Sequence, residues 1–207
     1  MKKTLIACMI ILLVSGALFA SSSWIGGQGV VSYQKNTTTV LATEQENTTT
    51  LAGLNLAGTI YPGDMPLGIG FQVGASKIFK ATNDSTELEW EDYPLTWNGG
   101  VMAKFRANMT EMIALELGAG LMYERTITTY DFGPYESNTT LNTLSMLTAA
   151  DVVIHLSDSL ALIGGVGLSF PLTTKGTYED NLNISYEEEF DVKGYTLSGK
   201  VGVGFGF

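Results

Sequence analysis

The chain has 207 residues, 24 of them glycine, one cysteine, one histidine, 15% charged residues and a formal net charge of −10. The 45% apolar content excludes wholesale disorder, and 21 acidic against 11 basic residues argue against a nucleic-acid partner, which needs clustered cations. No internal stretch reaches the roughly 18 consecutive apolar residues of a membrane-crossing helix, so a helical bundle in the membrane is excluded as well.

Residues 1–20, MKKTLIACMIILLVSGALFA, read as a signal peptide. Lys2 and Lys3 form its positive start and Leu5 to Val14 its apolar centre. Leu18-Phe19-Ala20 make a cleavage end before Ser21, and a cut after Ala17 is the alternative. Cys8 sits before the apolar run ends, the wrong place for an acylated cysteine. The mature chain, 21–207, then holds no cysteine, and therefore no disulfide, although export would permit one.

Apolar and polar residues alternate with period 2 throughout the mature chain, the signature of strands with two unlike faces. Strands are predicted at about Ser23–Gln34 and Thr49–Tyr61. In LGIGFQVGASKIF, Leu67, Ile69, Phe71, Val73 and Ala75 oppose Gly68, Gly70, Gln72, Gly74 and Ser76. In LTWNGGVMAKFR, Leu95, Trp97, Val101, Ala103 and Phe105 oppose Thr96, Asn98, Gly100, Met102, Lys104 and Arg106. In IALELGAGLMYER, Ile113, Leu115, Leu117, Ala119, Leu121 and Tyr123 oppose Glu116, Gly118, Gly120 and Glu124. In TLSMLTAADVVIHL, Leu144, Met146, Ala150, Val152, Ile154 and Leu156 oppose Ser145, Ala149, Asp151 and His155. A strand over Leu160–Leu172 follows. The last, YTLSGKVGVGFGF, sets Tyr195, Leu197, Val201, Val203, Phe205 and Phe207 against Thr196, Ser198, Lys200 and three glycines.

Side-chain volume decides which face points outward. A closed barrel of eight strands has an interior just wide enough for side chains. The small and polar set fits inside, and the bulky apolar set suits lipid. Strands of 12 to 14 residues exceed the roughly 9 to 11 that cross a bilayer when tilted. The connections PGDM (62–65), NMTE (108–111) and SDS (157–159) are tight turns, whereas 35–48, 81–93, 128–140 and 173–190 read as long, polar or acidic loops. Val73-Gly74-Ala75, Ala119-Gly120-Leu121 and Val166-Gly167-Leu168 recur 46 and 47 residues apart. Four hairpins of that length fill the mature chain. The predicted fold is an all-β, eight-stranded antiparallel up-and-down transmembrane barrel.

With its terminal aromatic strand, the chain resembles the small outer-membrane β-barrels of Gram-negative-type bacteria: the OmpA-, OmpX- and OmpW-like and opacity-type groups. The resemblance implies bacterial outer-membrane location and recognition of Tyr195, Val203, Phe205 and Phe207 by the barrel-assembly machinery. It also implies contact with outer-membrane lipid.

Six charges are expected in the lumen: Lys104, Arg106, Glu116, Glu124, Asp151 and Lys200. Buried charges need partners, so the set reads either as an ion-paired plug or as a selectivity constriction. The inward glycines keep a small water-filled channel open as an alternative and exclude a wide pore. His155 and Ser157 resemble the pair of barrel-type lipid deacylases, but they fall at the short-turn rim, and Ser157-Asp158-Ser159 reads as turn chemistry. No catalytic site, cofactor or metal is therefore assigned. The acid of Asp84, Glu87, Glu89, Glu91 and Asp92, and of Glu179, Asp180, Glu187, Glu188, Glu189 and Asp191, lacks the spacing of a calcium loop and reads as solvated surface. Trp90, Tyr93, Trp97, Tyr123, Tyr130 and Tyr135 are expected in an outer aromatic girdle, and Tyr61, Phe205 and Phe207 in the opposite one. Two functions follow as expectations. One is a structural or surface-interaction barrel presenting four acidic loops to host or envelope ligands. The other is a narrow OmpW-like channel for small solutes.

Overall fold

The computed structural model describes residues 23–40, 43–63, 65–84, 86–87, 94–131, 136–180 and 185–206. The leader 1–20, Phe207, Trp90, Tyr93 and Tyr135 lie outside these. Nine strands follow in chain order: β1 (Trp24–Val40), β2 (Thr43–Ile60), β3 (Leu67–Asn83), β4 (Thr86–Glu87), β5 (Leu95–Asn108), β6 (Ile113–Asp131), β7 (Glu136–Ser157), β8 (Leu160–Asp180) and β9 (Ser185–Gly206). Eight strands pair antiparallel in chain order, with β3 pairing directly to β5 past β4, β1 pairs with β9, and β4 adds only two residues beside the end of β3. The other eight close a ring, so none is left with an open edge.

The faces follow the volume argument. Leu67, Ile69, Val73, Trp97, Val101, Leu117, Leu121, Val201 and Val203 are exposed on the outside, while Gln28, Asn55, Ser76, Lys104, Glu116 and Ser145 are buried inside. The interior is more apolar than expected. Trp24, Ala57, Ala114, Val153, Ala161 and Ile163 pack together. Met102, Met122, Leu147 and Ala149 form a second cluster and Leu51, Ile78 and Ala81 a third. Flexible methionines fill the gaps between glycine-lined walls.

Three of the four expected long loops are largely strand. β1 runs to Val40 and β2 restarts at Thr43; β6 runs to Asp131 before β7 at Glu136; β8 runs to Asp180 before β9 at Ser185. The strands reach 22 residues, roughly twice what a bilayer crossing needs. These segments lost their apolar face but kept β-branched Thr and a continuous backbone ladder, and the ladder is what makes a strand. The barrel therefore continues well past the apolar belt as hairpins. Register shifts occur at Thr50/Leu51 in β2–β3 and at Leu144/Ser145 and His155/Ser157 in β7–β8, and the widest gap in pairing is in β8–β9. The β8–β9 pairing breaks between Ser169 and Thr174, opposite Asp191–Tyr195, where Pro171 has no N–H to donate.

Candidate functional site in the barrel lumen

Register assembles the lumen charges. Glu116, Asp151, Gly165 and Lys200 are successive cross-strand partners on β6, β7, β8 and β9. Gly165 has no side chain, so Lys200 reaches across it and its Nζ lies 2.7 Å from Asp151 Oδ1. A Cβ at Gly165 would stand 2.1 Å from that same carboxylate oxygen. Lys104, from β5, pairs with Asp151 Oδ2 and lies 3.7 Å from Glu116 Oε2. Its aliphatic stem occupies the space beside Gly70 and Gly118. The inward glycines thus hold room for neighbouring side chains rather than for a water path.

The acid side is closed by neutral donors. Trp24 Nε1 donates to Glu116 Oε1 at 3.2 Å, and Thr59 Oγ1 donates to Oε2 at 3.3 Å. Two carboxylates and two ammonium groups are thereby matched in a dry interior, the condition under which buried charge is tolerated. Side-chain exposure is 3% for Lys104, 0% for Glu116, 1% for Asp151 and 9% for Lys200. Arg106 is the cross-strand partner of Glu116. Its Nε donates to Asn108 Oδ1 at 3.1 Å, and its guanidinium carbon lies 5.4 Å from the Tyr61 ring centroid, within cation–π range.

The cluster divides the lumen. Toward the short turns lies an open vestibule of about 980 Å³, with Arg106, Asn108 and His155 in its wall. Toward the long hairpins lies a cavity of about 50 Å³ lined by Asn55, Gln72, Asn98, Glu124, Ser169 and Thr196 among others. Glu124 faces this upper cavity, which Lys200 also lines, and no ion pair joins Glu124 to a cation among the described residues.

This fold recurs in solved structures. No known protein family matches the chain, and no curated protein matches its sequence. The outer membrane protein OprG from Pseudomonas aeruginosa superposes with a TM-score of 0.62 at 11% identity, over 91% of this chain and 97% of that one. A major outer membrane protein from Thermus thermophilus gives 0.57 at 11% identity, over 90% and 100%. Neisserial surface protein A gives 0.55 at 11% identity, over 89% and 97%. The chain has the fold of the small outer-membrane β-barrels.

Within this barrel, the remaining candidate residues fall as follows. Tyr195, Val203 and Phe205 point outward from β9. Trp97 and Tyr123 are exposed on the outer wall near the long-hairpin end, and the Tyr123 hydroxyl is bonded to Asn142 Oδ1. Tyr61 does not join the lower girdle. It is fully buried, and its backbone N–H donates to Ser23 Oγ at 3.0 Å. The reason is parity: Ala57 and Thr59 share the inward face of β2 and Tyr61 continues it just past the strand's end, while Leu54, Leu56 and Ile60 take the other. The same parity places Trp24 inside, a plug residue that the search for charges overlooked. His155 Nε2 meets the Arg106 guanidinium, while Ser157 Oγ accepts the Ser159 N–H at 3.4 Å. The acids of the fourth connection lie on strand, with Glu187 3.7 Å from Lys175 and Asp191 3.3 Å from Lys193. Asp84 instead ties the β1–β2 hairpin down, accepting the Glu46 N–H at 3.0 Å. Among the described residues, no three His, Cys, Asp or Glu side chains form a metal-holding group.

Proposed function

We propose that this protein resides in the bacterial outer membrane as a surface-interaction barrel, with the ion-paired cluster serving as its internal brace. One observation carries this reading: the lumen is closed at Lys104, Glu116, Asp151 and Lys200, all nearly inaccessible to water. A conduit needs a continuous wet path, and here the charges are spent on one another. The extended β1–β2, β6–β7 and β8–β9 hairpins, held as sheet beyond the belt, offer the ligand-facing surface. Exposed Glu187, Glu188 and Glu189 make the last of them strongly acidic. Host or envelope ligands would meet these hairpins outside the cell. Export by residues 1–20 and engagement of the assembly machinery by the β9 aromatic pattern, ending at Phe207, complete the proposal.

The test pairs two measurements. Shortening the β8–β9 hairpin within 173–190 is expected to abolish surface binding while the heat-modifiable, SDS-resistant barrel persists. Purified wild-type protein in a planar bilayer is expected to give no discrete current steps. Steady steps from the wild type would overturn this reading in favour of the narrow channel. That second reading draws on the vestibule and the upper cavity, which the ionic cluster and the apolar side chains packed around it separate.

A further inference from the structure

Nine lysine and arginine residues lie among the described positions, and their placement is uneven. Lys104, Arg106 and Lys200 point into the lumen. The other six, Lys35, Lys77, Lys80, Arg125, Lys175 and Lys193, are all on the outer wall. Each stands about ten to fifteen residues above the short-turn end of its strand. That height is just past the roughly 9 to 11 residues that cross hydrocarbon, hence at the level of the external lipid headgroups. The opposite rim carries outward acid at Glu111 and Asp158 and, among the described residues, no outward cation.

Within this band one patch differs from the rest. Lys35 and Lys193 lie 2.9 and 3.3 Å from Glu46 and Asp191, and Lys80 keeps only a loose 3.8 Å contact with Glu87. Arg125 forms no ion pair among the described residues. Lys175 has only a loose contact with Glu187, at 3.7 Å between two exposed side chains, and such a pair yields readily to a stronger anion. Trp97, Arg125, Asn142 and Lys175 are successive cross-strand partners on β5, β6, β7 and β8. Trp97 and Tyr123 stand beside Arg125, both exposed. The Tyr123 hydroxyl donates to Asn142 Oδ1, so the carbonyl of that amide is already engaged and its N–H groups are the donors left over. Strands are about 4.8 Å apart, so the Arg125 and Lys175 backbones are roughly 10 Å apart. Two long side chains close that span around one tetrahedral anion. A guanidinium with a neighbouring ammonium is the donor set for phosphate, and indole and phenol rings seat at the membrane interface.

The geometry points to a lipid-phosphate site at Trp97, Tyr123, Arg125, Asn142 and Lys175, on the outer wall, whose occupant is a phosphorylated headgroup of the external leaflet. This inference rests on the outward belt facing lipid. Its occupant is bound sideways from the membrane, not through the hairpin tips.

The experiment uses the folded, full-length barrel in a zwitterionic detergent, titrated with a bisphosphorylated acylated disaccharide or with its dephosphorylated form. Retained lipid is counted by native mass spectrometry. The wild type is expected to bind the phosphorylated form about tenfold or more tightly. Arg125→Gln and Lys175→Gln are each expected to weaken it about fivefold, and together to erase the preference. Arg125→Lys keeps most of it, and Lys35→Gln with Lys193→Gln leaves it unchanged. Equal binding of the two lipids by the wild type, or a preference that survives the double variant, would overturn the site. Displacement of the lipid by inorganic phosphate at equal phosphate concentration would overturn a lipid occupant. Insertion into phosphatidylcholine vesicles with heat-modifiable migration, scored for every variant, reports the barrel separately from the site.

Discussion

The two halves of the lumen are lined by the same alternating wall, yet they treat charge in opposite ways. In the lower half, four ionised groups converge and are matched. In the upper half, Glu124 faces a cavity of about 50 Å³ lined by amides, hydroxyls and apolar side chains together with Lys200, yet no cation is paired to it among the described residues. The difference comes from the neighbours across the strands. Asp151 is followed across the sheet by Gly165 and then Lys200, so an empty position lets opposite charges meet. Glu124 is flanked by Asn98 and Thr143, which fill the approach without supplying charge. A buried carboxylate is thus a brace or a liability according to what its two cross-strand partners leave open.

This contrast can be broken most forcefully at Asp151. Asp151→Ala strands Lys104 and Lys200 together in the interior, and removing one partner from a buried ionic cluster costs about 3–5 kcal/mol. The urea midpoint of unfolding in detergent, followed by loss of the SDS-resistant band, should fall accordingly. An unchanged midpoint would mean that the cluster braces nothing. Next comes Gly120→Trp. A Cβ there would lie 2.1 Å from the Val101 carbonyl oxygen, and overpacking of this kind costs about 1–3 kcal/mol. The expected result is a weakened or unfolded barrel by the same gel assay, so the substitution reports on wall packing and not on conduction. Glu124→Gln should act in the other direction. Removing a charge that has no counter-charge relieves desolvation, and the midpoint should stay level or rise. A large fall would show that Glu124 is paired as firmly as Asp151.

The smallest effect belongs to the hairpins. Lys35 lies 2.9 Å from Glu46 with both side chains exposed, and such pairs add little. Lys35→Ala should leave the midpoint within error. The Glu46 carboxylate holds the Lys35 ammonium above the usual lysine range. A raised pKa contributes below the ordinary lysine value and loses its effect only as pH rises through the raised one. The pair should therefore show no Lys35-dependent titration across neutral pH.

Much of this arrangement is legible in the residues. Period-2 alternation, with the volume argument, places the apolar face outward and the six charges inward. It also places Tyr61 and Trp24 inside, but aromatic character at a strand end outweighed parity in assigning Tyr61 to a girdle. The pairing of the charges is not legible. Register depends on where each turn closes, and a slip of one residue would set Lys200 against a different neighbour. The extended hairpins are hidden for another reason. Thr-rich and Asn-rich segments such as 35–48 have no apolar face to reveal them, and only the ladder with neighbouring strands makes them sheet.

The break in β8–β9 pairing between Ser169 and Thr174 bears on the mechanics of the cylinder. A closed wall resists opening because its hoop of backbone bonds is continuous at every height. Here β8–β9 pairing lapses at the upper edge of the belt, beside the outward Phe170 and Leu172. Missing ladder bonds make that seam the expected place for the acidic tip to bend. Bending there would leave the pairing of the ring below, from Ala161–Ser169 with Thr196–Gly204, untouched.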